Sequence, residues 1–239
     1  MQQGSTLEKL PLGGDKERAA LDAARQSLNG IILGKKPEIS LALACLLARG
    51  HLLIEDLPGL GKTILAQSLA RVLGLSFQRV QFTSDLLPAD IVGVSIFRQE
   101  TGDFEFQPGP VFAQLVLADE VNRATPKAQS ALLEAMEERQ VSVDGRTHAL
   151  PAPYFVVATQ NPSDQIGTFP LPESQLDRFL MRLELGYPSE EHERALLTGA
   201  DRREMLTEVE AVLTPDTLVA LQEKATKVHM TDPLVDYVQ

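Results

Sequence analysis

Lys62 and Thr63 stand directly after Gly59-Leu60-Gly61 and directly before an apolar helix pattern of Ile64, Leu65, Ala66, Leu69 and Ala70. That arrangement suits the phosphates of a nucleoside triphosphate with magnesium. The glycines let the backbone fold back so that several N–H groups converge on phosphate oxygens. A helix beginning at about Gly61 adds its dipole and its unpaired N–H groups. Lys62 is placed to reach the β- and γ-phosphates, and the Thr63 hydroxyl to ligate Mg²⁺. Pro58, Leu60 and Ile64 complete the stretch expected to contact nucleotide. The usual pattern, G-x-x-x-x-G-K-[ST], begins with glycine, whereas this chain has Asp56. A carboxylate aimed at the phosphates would repel them, so Asp56, directly after the strand, is expected to turn away.

Three further groups of residues can serve phosphoryl transfer. Leu115-Val116-Leu117-Ala118 runs into Asp119-Glu120. Asp119 is expected to hold Mg²⁺, through water, and Glu120 to polarise an attacking water. A single acid at a strand end often only caps a helix, but two acids downstream of a phosphate loop favour hydrolysis over simple binding. Asn161, past the strand Phe155-Val156-Val157-Ala158-Thr159, can hydrogen-bond the attacking water or the γ-phosphate. Arg178, in Leu176-Asp177-Arg178-Phe179, and Arg123 are both candidates for a charge supplied to a neighbouring subunit's γ-phosphate. The competing assignment for either arginine is an ion pair with a nearby acid such as Asp177 or Glu120.

The elements that must position these groups are legible as hydrophobic periods. Helix patterns cover residues 15–28, 37–47, 62–73 and 126–139, the second apolar on most sides and therefore expected to be buried. Apolar strands are predicted at 51–55, 77–82, 115–119, 154–159 and 179–185. Such alternation argues for an α/β fold with a mostly parallel sheet covered by helices. Two hairpins interrupt it. One pairs 95–98 with 103–107 around Thr101-Gly102, with Phe104 and Phe106 on one face. The other pairs 140–143 with 146–150 around Asp144-Gly145, the residues a type I′ turn wants. Residues 1–15 read as a loose tail, 16–186 as the α/β domain and 187–239 as a partial helical lid. Its helices are expected to start at Ser189, at Thr214-Pro215 and at Thr231 or Asp232.

With 239 residues and 44% hydrophobic content, the chain has the composition of an ordinary soluble globular protein. No apolar run approaches the roughly 20 residues of a membrane span. The single cysteine, Cys45, lies in an apolar run, which suits a reducing cytoplasm and a packing role. A net charge of −11 disfavours nonspecific nucleic-acid binding.

The order of these motifs resembles that of AAA+ ATPases, and most closely the MoxR branch. Segments similar to its signatures are Glu55-Asp56-Leu57-Pro58-Gly59-Leu60-Gly61-Lys62-Thr63, Gly109-Pro110-Val111-Phe112, Ala118-Asp119-Glu120-Val121-Asn122-Arg123-Ala124, Ala158-Thr159-Gln160-Asn161-Pro162 and Leu171-Pro172-Glu173-Ser174-Gln175-Leu176-Asp177-Arg178-Phe179. The resemblance implies a five-stranded sheet in the order 5-1-4-3-2, a helical lid and a ring, usually hexameric. It assigns Lys62 and Thr63 to Walker A, Asp119 and Glu120 to Walker B, Asn161 to sensor 1 and Arg178 to the arginine finger. It also places Ile31-Ile32-Leu33-Gly34 near adenine, so Ile32 and Gly34 join the expected nucleotide contacts. The two hairpins match inserts that line or cap the ring pore. The sensor 2 arginine of the family falls in a helix later than Gln239, so the lid is expected to be incomplete. The implied activity is Mg-dependent ATP hydrolysis coupled to chaperone-like remodelling of a client protein, with a von Willebrand factor A domain protein as partner. Alternatives are the ATPase subunit of a metal chelatase, a nucleotide-gated assembly module with little turnover, and a DNA motor, which the acidic balance disfavours.

Overall fold

The computed structural model describes residues 15–162, 167–199 and 201–239. All but the last residue of the expected tail, and Ser163 to Ile166 beyond Asn161, lie outside them. In chain order the elements are α1 (Asp15–Ile31), α2 (Lys36–Leu47), β1 (Leu52–Glu55), α3 (Lys62–Val72), β2 (Phe77–Gln81), α4 (Pro88–Val92), β3 (Gly93–Arg98), β4 (Asp103–Pro108), β5 (Leu115–Asp119), α5 (Pro126–Glu138), β6 (Gln140–Val143), β7 (Arg146–Ala149), β8 (Phe155–Gln160), α6 (Glu173–Leu176), β9 (Met181–Leu183), α7 (Glu190–Thr198), α8 (Arg202–Glu208), α9 (Pro215–Ala225) and α10 (Asp232–Val238).

Five strands form one parallel sheet in the spatial order β2-β5-β8-β1-β9. Renumbered by their succession within this sheet and read from the opposite edge, that is the expected 5-1-4-3-2. The two-residue period of the strands divides the core. Leu52, Ile54, Leu115, Leu117, Phe155 and Val157 pack on one face with α1, α2 and α3. Leu53, Val116, Ala118, Val156 and Ala158 pack on the other, with α5 and its neighbours. Strands covered on both faces must be apolar throughout, and β5 is buried at all five positions.

Because the strands are parallel and in register, their C-terminal ends meet along one edge. Glu55 stands opposite Gln160, and Gln81 opposite Asp119. Helix α3 is fixed to the sheet by Leu65, Ala66, Leu69 and Ala70, all buried. Truncating such a leucine to alanine costs about 2–5 kcal/mol, so the first turn of α3, with Lys62 and Thr63, rests on a rigid base.

Both expected hairpins form. In β6–β7, Asp144 and Gly145 adopt φ of 50° and 74°, as a type I′ turn requires. Phe106 of β4 stacks on His148 of β7 with ring centroids 3.9 Å apart, joining the hairpins to each other. Phe97 and Phe104 pair on the exposed part of the first hairpin. Helix α2 departs from expectation: Ile39, Ala42, Leu43, Cys45 and Leu46 are buried, but Leu41 is 43% exposed. Only one face of α2 meets the core, so its apolar outer face is solvent-facing in this chain.

After β9 only helices follow. Ser189 and Thr214 cap α7 and α9 through their hydroxyls, which accept from His192 N and Thr217 N. Their contribution reaches the main core, where Leu213, Leu218 and Leu221 pack with the residues of α1 to α3. Gln222 Nε2 donates to Leu46 O at 2.7 Å, tying α9 to α2. Helices α4, α6 and α8 are short and lack a readable period, and the sequence did not announce them.

Candidate nucleotide site

The loop between β1 and α3 opens onto a cleft of about 1120 Å³. Pro58, Gly59, Gly61, Lys62, Thr63 and Ile64 line it, together with Asp119, Glu120 and Asn161 from the ends of β5 and β8. Gly59 and Gly61 adopt φ of 85° and 86°, and a side-chain carbon built on either would meet nothing within 4 Å. The loop therefore bends through a conformation that favours glycine while leaving an open concavity over its backbone. Leu60, Ile32 and Gly34 do not line this cleft. Ile32 packs against the core, and Gly34 lies against the His192 ring of α7, whose Nδ1 would stand 2.8 Å from a Cβ there.

Asp56 turns away from the phosphate loop, as its position after β1 suggested. Its Oδ1 accepts from Leu57 N at 2.9 Å. Its Oδ2 accepts from Leu185 N at 2.7 Å and Gly186 N at 2.6 Å. The acid in place of the usual glycine is thus a strap, binding the start of the loop to the chain leaving β9. Lys62 Nζ reaches back across the loop to the carbonyls of Asp56 and Leu57. Burial pulls the Lys62 amine below its ordinary pKa, while the charges of Asp56, Asp119 and Glu120 oppose that.

Asp119 is 7% exposed and both of its oxygens are engaged. Oδ1 accepts from the Thr159 hydroxyl at 2.6 Å, and Oδ2 from Arg79 Nε and Nη2 at 3.1 and 2.7 Å. The same Thr159 hydroxyl accepts from Glu120 N at 2.9 Å. Thr159 therefore fixes the β5 terminus from the neighbouring strand. Glu120 has φ of 56°, a left-handed conformation costing roughly 1–2 kcal/mol for a residue with a Cβ. Its Oε2 accepts from Gln81 Nε2 and Arg123 Nη1, both at 2.9 Å. Asn161 contributes its carbonyl to Asn122 Nδ2 at 3.5 Å.

The two candidate arginines separate. Arg123 pairs with Glu120, which lines the cleft. Arg178 is not among the cleft residues. It lines a second cavity of about 460 Å³ with Ser130, Glu134, Glu138 and Gln175. There Nη1 donates to Leu133 O at 3.0 Å and pairs with Glu137 Oε2 at 2.6 Å. Its acid is Glu137, on α5, and not Asp177.

Sequence reasoning missed Arg79, Gln81 and Thr159. It read residues 77–82 as an apolar strand, yet β2 is the sheet edge, with Gln78, Arg79 and Gln81 exposed. The available signal was Arg79 and Gln81 two positions apart, which puts them on one face.

The donor set suits magnesium with nucleotide. Among the described residues no cluster of three or more His, Cys, Asp or Glu could hold a metal by itself. One hydroxyl and one or two carboxylates shared with phosphate oxygens are what Mg²⁺ takes in phosphoryl-transfer sites. Thr63 and Asp119, both lining the cleft, carry donors of that kind.

A family model described as "ATPase family associated with various cellular activities (AAA)" matches residues 51–181. A Bacillus subtilis protein, uncharacterized protein YeaC, is 47% identical over 218 residues, covering 91% of this chain and 68% of its own length. Chaperone MoxR1 of Mycobacterium tuberculosis is 44% identical over 240 residues, covering 98% of this chain and 63% of the relative. A crystal structure from Cytophaga hutchinsonii, carrying an ATPase designation, superposes with a TM-score of 0.85 at 38% identity, over 93% of this chain and 68% of that one. The chain therefore spans about two thirds of the length of these relatives. No helix among the described residues is long and apolar enough to cross a membrane.

Proposed function

Because the chain belongs to the MoxR branch of the AAA+ ATPases, we propose that it binds ATP with Mg²⁺ and hydrolyses it to remodel a partner protein. The observation that carries this reading is the convergence of Lys62, Thr63, Asp119, Glu120 and Asn161 on one cleft from three parallel strand ends. Thr63 and Asp119 would hold Mg²⁺, which supplies charge neutralisation at the β- and γ-phosphates. Lys62 binds the same phosphates once its loop carbonyls release it. Glu120 orients the attacking water, and Asn161 hydrogen-bonds that water or the γ-phosphate.

Arg178 lies outside its own chain's cleft, which supports its acting on a neighbour in a ring, hexameric in this reading. The proposed organisation keeps residues 16–186 as the catalytic α/β unit and 187–239 as part of a lid. The relative named as a chaperone supports the remodelling role; a von Willebrand factor A domain protein is the proposed partner. A second reading, a nucleotide-gated assembly module with little turnover, draws on one observation: Glu120 is held by both Gln81 and Arg123.

Glu120→Gln decides between them. On the ATPase reading the variant binds ATP as wild type does and loses turnover by about 10²–10⁴-fold. Equal phosphate release from the two proteins would sink it.

A further inference from the structure

Arg79 is absent from the family roles assigned above, yet it makes two hydrogen bonds to the Asp119 carboxylate. The other Asp119 oxygen also has a protein partner, the Thr159 hydroxyl. A carboxylate this deeply buried is costly without a cationic partner, and Arg79 supplies that compensating charge. Its side chain is 47% exposed and opens onto the cleft, with Gln81 Oε1 at 2.9 Å as its further side-chain contact. An ion pair this exposed on one side is weak and readily displaced. A divalent cation approaching between Thr63 and Asp119 meets a guanidinium already bonded to that carboxylate through two donors.

We propose that Arg79 is a positioning residue that competes with the metal for Asp119, so that it holds the carboxylate in place before magnesium arrives and raises the magnesium concentration needed to displace it. This rests on the magnesium-nucleotide reading of the cleft. The competition is with the cation and its bound water for the same carboxylate, and it does not require turnover.

The test is Mn²⁺ binding to the full chain with saturating ADP, read by electron paramagnetic resonance from the loss of the free Mn²⁺ signal. Arg79→Ala is expected to tighten Mn²⁺ binding by about 3- to 10-fold, the range an ion pair of this kind allows. Arg79→Lys, with a single point charge in place of the two-pronged donor, falls between that and wild type. Unchanged or weaker binding in Arg79→Ala, with its circular dichroism spectrum intact, overturns the proposal while leaving the site reading in place. Wild type that binds ADP without taking up Mn²⁺ overturns both.

Discussion

Asp56→Gly would restore the usual first glycine of the phosphate loop, and it is expected to damage the protein. The Asp56 carboxylate accepts three backbone N–H groups, from Leu57, Leu185 and Gly186. Hydrogen bonds to a charged acceptor contribute about 1.5–3 kcal/mol each when fully buried. Asp56 is only half-buried, so about 1 kcal/mol each is the fitting figure, or about 3 kcal/mol together. Glycine adds about 0.5–1 kcal/mol through the greater freedom of the unfolded chain. The expected loss is therefore about 4 kcal/mol. For a chain of this size each kcal/mol lowers the melting temperature by about 2–4 °C, which predicts a fall of roughly 8–16 °C.

Scanning calorimetry measures that fall, and Asp56→Asn, which keeps one acceptor oxygen, should lie between the two. A melting temperature within about 2 °C of wild type would refute the strap. Nucleotide affinity supplies an independent check. If the carboxylate faced the phosphates, Asp56→Gly would tighten nucleotide binding markedly. Because it faces Leu185 and Gly186, no tightening is expected, and a tenfold gain in fluorescent ADP affinity would contradict the geometry.

Arg178→Ala is expected to lower turnover by about 10³-fold or more, the usual worth of a trans-acting arginine. It should hardly move the melting temperature, since the pair with Glu137 is partly exposed. Mixing it with Lys62→Ala, which has an intact Arg178 but a crippled loop, should recover activity that neither has alone; no recovery would place Arg178 outside the reaction. His51 predicts the pH dependence of stability. Its Nδ1 accepts from Val156 N at 3.0 Å and its Nε2–H donates to Met136 O at 3.2 Å, so the buried ring is neutral. Burial pushes its pKa down to about 4 from 6.5, and Arg139 pushes the same way. A depressed histidine costs nothing above pH 6.5, where both states are neutral, and destabilises the fold as pH falls from 6.5 towards 4, by about 3 kcal/mol in all. Urea midpoints of wild type and His51→Gln between pH 7 and 4.5 should converge as pH falls, and parallel curves would remove His51 as the cause.

Much of the architecture was legible because its signals are local. The apolar runs at Leu115–Asp119 and Phe155–Gln160 are each buried on both sides, and such runs are recognisable without knowing their neighbours. Asp144-Gly145 specifies its own turn, and Ser189 and Thr214 their own caps. Lys62, Thr63, Asp119, Glu120 and Asn161 were legible for a similar reason: each stands at the end of an element whose type is readable. Helices α4 and α8 were not, since five and seven residues are too few for a 3.6-residue period to show.

What stayed hidden was the partner of each charged side chain, and the sheet order explains why. In a parallel sheet, neighbouring strand ends are separated by whole crossover units. Arg79 and Asp119 are 40 residues apart, Arg178 and Leu133 are 45, and Asp56 and Leu185 are 129. The acid next to Arg178 in sequence is Asp177; the fold pairs that arginine instead with Glu137, on α5. The one short-range pairing that sequence proposed correctly, Arg123 with Glu120, is three residues long and lies within a single turn. Asp56, Asp119 and Glu120, each at a strand end, all take a partner from the next strand in space or the chain leaving it. Once the order β2-β5-β8-β1-β9 is known, β2 beside β5 makes Arg79 the first cation to examine against Asp119, before any side chain is placed.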